Sequence, residues 1–283
     1  MRVGYLGPEG TFSEAAALTA PGSPEFELVP LETVHATVLA VADGHVDQGV
    51  VPIENSLEGS VNITLDALVA TDRVRILGET VLAVEQCLIA QEELPLEQIE
   101  VVISHPQGTA QCREYIRAKM PQARIMTSSS TAEAVRLVSE RIRHRWAAIG
   151  TRLAAELYGC LVLEAGIEDV AGNETRFVWL GADESSPGIP GAEIGHVWKT
   201  AIVFWGTGTE SPGWLVSCLS ELSERRVNMT RIESRPLKIG LGRYMFFADL
   251  DGRESDPEVA AALAGLSEHV DVLRTLGSFP ARG

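Results

Sequence analysis

Cysteine is scarce. The chain has four in 283 residues, at 87, 112, 160 and 218, with no Cys-x-x-Cys pair and no Cys/His spacing suited to zinc. That excludes a disulfide framework and a structural zinc module, and leaves buried free thiols as the ordinary reading. Cations are short as well: Lys plus Arg number 23 against 39 Asp plus Glu, a net charge of −16. A nucleic-acid partner is excluded on that balance, because a phosphate backbone is held by a clustered cationic face. No apolar run reaches the roughly 18 to 20 residues that span a bilayer. The opening, Met1-Arg2-Val3-Gly4-Tyr5-Leu6-Gly7, reads as a strand rather than the apolar stretch of a signal peptide. The expectation is a cytoplasmic protein with no nucleic-acid and no membrane partner.

What is plentiful is apolar material, 45% of the chain, enough to bury a core and exclude a disordered polymer. Over residues 1–182 short apolar runs alternate with amphipathic stretches, the pattern of an α/β fold. Val3–Leu6, Glu27–Val29, Gln48–Pro52, Val101–Ser104, Arg124–Thr127 and Ala147–Gly150 read as strands. Thr33–Ala42, Cys112–Lys119 and Ala132–Arg143 read as helices, the last opened by a Ser130 cap with Glu133 placed to reach back. Two apolar segments in succession, Val74–Leu77 and Thr80–Ala90, suggest that the chain leaves one lobe and enters another. Residues 183–195, with Ser-Ser-Pro-Gly-Ile-Pro-Gly inside, read as a linker. Beyond it the order strand, helix, strand, strand, helix, strand over 196–283 matches a ferredoxin-like βαββαβ unit, with Ser211-Pro212 expected to open its first helix.

Charge divides unevenly: 1–195 hold 13 Lys or Arg against 28 Asp or Glu, and 196–283 hold 10 against 11. An anion bound by the first region must therefore be gripped by local donors rather than drawn in by bulk field. Such donors are suggested twice. Gly7-Pro8-Glu9-Gly10-Thr11 and His105-Pro106-Gln107-Gly108-Thr109 each follow a strand and precede a helical stretch. A turn of that kind aims amides and a hydroxyl outward at the positive end of a helix. Either alone is equally an ordinary strand-to-helix turn; two, one per lobe, point to a ligand with two anionic groups between the lobes. Asn55 and Ser56, after the strand at 48–52, could simply end it, and Arg176 could be a plain surface charge.

The runs Gly4-Tyr5-Leu6-Gly7-Pro8-Glu9-Gly10-Thr11-Phe12-Ser13, Pro52-Ile53-Glu54-Asn55-Ser56, Ser104-His105-Pro106-Gln107 and Asn173-Glu174-Thr175-Arg176-Phe177 resemble, in that order, the prephenate dehydratase family. Residues 196–283 resemble an ACT regulatory domain, with Glu233-Ser234-Arg235-Pro236 where that family has its phenylalanine-binding signature. The resemblance implies a two-lobed, periplasmic-binding-protein-like catalytic domain over 1–182. It also implies decarboxylating dehydration of prephenate to phenylpyruvate without cofactor or metal. Thr175 would donate to the departing hydroxyl, with Glu54, Asn55 and Gln107 organising it. Thr11, Ser13, Ser56, His105, Gly108, Thr109, Arg176 and Phe177 would contact substrate.

Phenylalanine would bind at Gly213, Trp214, Leu215, Asn228 and Glu233 to Pro236, across a homodimer or homotetramer. Trp214 replaces the small residue of the family's Gly-Ala-Leu-Val pattern, and the larger ring is expected to narrow or cover that pocket. With no chorismate mutase region visible, a monofunctional enzyme is expected. Three alternatives stay open: arogenate as substrate, a non-catalytic two-lobed sensor, and a ferredoxin-like unit that only dimerises the chain.

Overall fold

The computed structural model describes residues 1–20, 23–140, 144–182 and 197–281. The expected linker at 183–195 lies outside the described residues. A first lobe is laid down by β1 (Arg2–Leu6), α1 (Phe12–Leu18), β2 (Glu27–Leu31), α2 (Val34–Ala42), β3 (Gln48–Asn55), β4 (Gly59–Ser60), α3 (Asn62–Ala70) and β5 (Arg75–Ala83). The chain then crosses to a second lobe of β6 (Cys87–Ala90), β7 (Val101–Ser104), α4 (Pro106–Gln111), α5 (Arg113–Lys119), β8 (Arg124–Thr127), α6 (Thr131–Ser139), β9 (Trp146–Gly150), α7 (Arg152–Leu157) and β10 (Leu161–Ala165). It returns as β11 (Glu174–Gly181), which inserts between β3 and β5 to give the order β2-β1-β3-β11-β5; the second sheet runs β10-β6-β9-β7-β8. Two crossings thus join two sheets, each wrapped by helices. That is a hinged pair of lobes.

Beyond the linker come β12 (Trp198–Trp205), α8 (Trp214–Glu224), β13 (Met229–Pro236), β14 (Tyr244–Asp251), α9 (Pro257–Ser267) and β15 (Val272–Pro280), in the sheet order β13-β14-β12-β15. The βαββαβ order holds. Strand alternation divides this sheet between two cores. Ile202, Phe204, Ala248 and Leu250 pack under α8 and α9, whereas Ala201, Val203, Met245, Phe247 and Leu276 join a core with Val51, Ile53, Val178 and Leu180 of the first lobe. The second domain is docked by burial on the first lobe rather than tethered beside it.

Helix starts differ from expectation where local chemistry overrode the pattern. His105-Pro106-Gln107-Gly108-Thr109 is not a turn: α4 begins at Pro106, and His105 Nδ1 caps it by accepting from the Gln107 amide at 3.2 Å. Proline suits the first helical position because its missing N–H would be unpaired there anyway. The cap at Ser130 is present, its Oγ accepting from Glu133 N at 2.9 Å, but Glu133 pairs with Arg136 instead of reaching back. α8 opens not at Ser211-Pro212 but at Trp214, after Gly213 at φ +84°. Cys87, Cys112 and Cys218 are buried, and all four thiols are free. No helix among the described residues is long and apolar enough to cross a membrane.

Candidate active site

Thr175 on β11 faces Asn55 on β3 in antiparallel register. Asn55 Nδ2 donates to Thr175 Oγ1 at 2.9 Å and to Asn173 Oδ1 at 2.7 Å; its Oδ1 accepts from the Leu57 and Glu58 amides, each at 3.0 Å. Asn55 is 8% exposed and Asn173 2%. A buried amide bonded at both ends holds one orientation, because each lost bond costs about 1–3 kcal/mol. The Thr175 oxygen is therefore an acceptor whose own proton remains free to donate, in a network that polarises it.

Both side chains open on a cavity of about 720 Å³ between the lobes. Thr11, Ser13 and Phe177 line it from the first lobe, and His105, Gln107 and Gly108 from the second. Among the described residues this lining carries no lysine or arginine; its acids are Glu32 and Glu133. Glu133 is doubly held by Arg136, at 2.7 Å from both Nε and Nη2, and those bonds keep its carboxyl below the usual range. What the cavity offers an anion is helix ends: α1 capped by Thr11, α4 capped by His105 and α6 capped by Ser130 all begin at its wall. Amide donors at helix N-termini favour carboxylates without a cationic side chain.

Four expected contacts are corrected. Strict alternation from Val51 would send Glu54 into the cleft and Asn55 out of it. The register between β3 and β11 shifts between Arg176 and Phe177, skipping Ile53. This bulge inverts the remaining residues, so Asn55 enters the cleft and Glu54 turns to the second domain. Arg176, one residue after Thr175, takes the opposite face of β11 and meets Glu54, Glu79 and Asp249. Ser56 is exposed and braces the turn, its Oγ accepting from the Glu174 amide at 2.9 Å. Thr109 donates back to the His105 carbonyl within α4.

Ser130, read from the sequence only as a helix cap, is among the residues of the site that were not anticipated, with Asn173 and Gln86. Asn173 anchors Asn55 and was quoted only as part of a motif. Gln86, 2% exposed, lies where the chain crosses between lobes, lines the cavity, and donates to Gln111 Oε1 at 3.1 Å. A lone glutamine inside the apolar run 80–90 was the available signal.

The turn before α1 also seats one lobe on the other. Gly10 has φ +83°, and a Cβ there would lie 2.9 Å from Ala154 Cβ on α7; Thr151 Oγ1 donates to its carbonyl at 2.6 Å. Gly10→Ala is expected to strain the backbone and wedge the lobes apart, lowering kcat/KM at least ~10-fold, since a 1 Å misplacement can cost ~10². Steady-state kinetics against the parent checks it.

A second cavity, about 330 Å³, lies on the second domain, lined by Gly213, Trp214, Leu215, Tyr244 and Phe246 among others. Trp214 forms part of its wall. Its Nε1 donates to the His269 carbonyl at 2.7 Å, and the ring packs on Phe204 and Phe246 over Gly208, where any side chain would overlap it. The remaining expected effector residues lie outside its lining. Asn228 is spent on Asp251 at 2.7 Å, Glu233 and Arg235 face the first lobe and bond Ser60 and Asp66, and Ser234 and Pro236 take the exposed face of β13.

A family model for prephenate dehydratase matches residues 3–185. A prephenate dehydratase from Mycobacteroides abscessus is 37% identical over 285 residues, covering 99% of this chain and 90% of the relative. A prephenate dehydratase from Arthrobacter aurescens, solved in complex with L-Phe, superposes with a TM-score of 0.88 at 35% identity, covering 100% of this chain and 90% of that one. GqqA, described as a novel type of quorum quenching acylase, superposes at 0.84 with 29% identity, covering 100% of this chain and 98% of its own. With its first 185 residues matched almost throughout and a relative aligned along nearly its full length, the chain belongs to the prephenate dehydratase family.

Proposed function

We propose that the chain converts prephenate to phenylpyruvate, with Thr175 as the group that helps the ring hydroxyl depart. The ring carboxylate leaves as CO2, and the pair from its C–C bond enters the ring. The C–O bond to the hydroxyl breaks, and that oxygen takes up a proton and leaves as water. Aromatisation drives the step, so the protein's task is to hold two carboxylates and ease one departure. A positioned acid contributes on the order of 10² to 10⁴ in rate. The observation that carries this reading is the Asn55–Thr175 bond at 2.9 Å on the wall of the cleft. Fold alone does not choose the reaction, since the acylase neighbour shares it.

The helix ends at Thr11, His105 and Ser130 would share the two carboxylates, with Ser13, Gln107 and Gly108 completing their donors and Phe177 walling the ring. Glu54, Ser56, Thr109 and Arg176 are not assigned substrate contacts. Phenylalanine would bind the second cavity, with Gly213, Trp214 and Leu215 on one side and Tyr244 and Phe246 on the other, making residues 196–283 an ACT regulatory domain. In the Arthrobacter aurescens relative the bound molecule is L-Phe. Val216, Ile232, Leu241 and Tyr244 are exposed apolar residues around the β13 edge and that cavity, which supports a homodimer or homotetramer; the compartment proposed is the cytoplasm.

Incubation of the purified chain with prephenate, followed as phenylpyruvate absorbance in alkali, tests the reaction. Turnover of prephenate with kcat/KM above that for arogenate is expected, and added phenylalanine should lower it. Prephenate and arogenate both recovered unchanged would leave a binding protein in place of an enzyme.

A further inference from the structure

Behind the Thr175–Asn55 pair, on the opposite face of the same two strands, sits an ionic cluster that the reaction does not consume. Arg176 Nη2 lies 2.6 Å from Asp249 Oδ2, its Nη1 3.1 Å from Glu79 Oε2 and its Nε 3.2 Å from Glu54 Oε2. Lys199 Nζ lies 2.9 Å from Glu79 Oε1, and Arg231 Nε 3.7 Å from Glu54 Oε2. Three carboxylates meet three cations, so the cluster is neutral as a whole. Side-chain exposure is 12% for Arg176, 1% for Glu79, 4% for Asp249 and 8% for Arg231. A charge so buried, once its partner is removed, strongly destabilises its surroundings.

The ownership of these groups matters. Arg176 and Glu54 are cross-strand neighbours in register, each adjacent in sequence to a member of the catalytic pair, Thr175 and Asn55. Their second-domain partners Asp249 and Arg231 stand on β14 and β13, whereas Lys199 on β12 reaches only Glu79. We propose that Arg176 and Glu54 are positioning residues, which set the placement of Thr175 and Asn55 only while Asp249 and Arg231 of the docked second domain hold them. A strand anchored at one residue carries the next with it. The bulge at Ile53 interrupts the ladder between Pro52 and Glu54, immediately before the positions where Glu54 and Asn55 meet Arg176 and Thr175. The inference rests on Thr175 acting in the cleft.

Asp249→Asn keeps the shape and removes the charge. In the full-length chain it is expected to lower kcat for prephenate at least ~10-fold while KM stays within about two-fold, the signature of displaced chemistry rather than lost binding. Asp249→Glu should recover part of that loss. Arg231→Gln, measured in parallel and sufficient alone should the Asp249 variants fail to fold, is expected to lower kcat about five-fold with KM similarly unmoved. Lys199→Met removes a cation that touches Glu79 but not Arg176; it should lower the melting temperature and leave kcat within about two-fold. Wild-type kcat in folded Asp249→Asn and Arg231→Gln, or an equal kcat loss in Lys199→Met, would reduce the cluster to structural glue and overturn the proposal. An inactive wild-type chain would instead remove the reaction itself.

Discussion

Thr175→Ala is expected to lower kcat by at least ~10², with prephenate still bound, whereas Thr175→Ser retains much of the activity. The asymmetry follows from what the position supplies. A hydroxyl whose oxygen accepts from Asn55 at 2.9 Å keeps its own proton to donate, and its side chain lines the cleft; serine places a hydroxyl on the same Cβ. The methyl of threonine stiffens χ1, so serine should lose a few-fold through rotamer freedom but not the chemistry. Alanine removes the donor altogether. Binding is expected to persist because the proposed carboxylate donors lie elsewhere, at the helix ends capped by Thr11, His105 and Ser130. Substrate affinity by calorimetry beside steady-state turnover separates the two effects. Near-normal turnover by the alanine variant would remove Thr175 from the reaction.

Asn55→Leu should be nearly as damaging, for a different reason. The substitution keeps the volume but strips the donor to Thr175 Oγ1 and to Asn173 Oδ1, and the acceptor for the Leu57 and Glu58 amides. Thr175 would lose the bond that orients it, lowering kcat on the order of 10². Orphaned polar groups in a site 8% exposed would also destabilise the fold by about 1–3 kcal/mol each. Thermal unfolding should therefore register Asn55→Leu and be close to silent for Thr175→Ala. Two variants with similar losses of kcat and different melting temperatures distinguish the orienting group from the reacting one.

The two lobes and the βαββαβ order were legible in the sequence, because alternating apolar runs report them directly, whereas Thr175 and Asn55 were singled out by their motifs and not by periodicity. The side on which Glu54 falls was not legible. The resemblance put it at the site; strict alternation would agree, but a single bulge, invisible to periodicity, turns it out and brings Asn55 in. The role of Arg176 was hidden by distance along the chain: its partners Glu79 and Asp249 are 97 and 73 residues away. Glu233 and Arg235 were hidden by docking, since an edge strand has two faces and nothing local says which meets another domain. Pro106, read as part of a turn, was in fact a legible helix start.

The absence of lysine and arginine from the described cleft lining has a consequence for specificity. Helix-end amides and neutral side chains recognise carboxylates by geometry and so bind without drawing every anion to the site. A strongly acidic first region would repel unselected polyanions, and on the proposed assignment a ligand with two carboxylates spaced to reach opposite lobes would gain both sets of donors.

The most direct test is a crystal structure with a ring-saturated analogue of prephenate, which keeps the hydroxyl and both carboxylates but cannot aromatise. The expected result places Thr175 Oγ1 about 2.6–3.0 Å from the ring hydroxyl oxygen, with Asn55 still bonded behind it and the carboxylates on helix ends of opposite lobes. A ligand bound with a carboxylate against Thr175, or with its hydroxyl on the far side of the cleft, would contradict the mechanism.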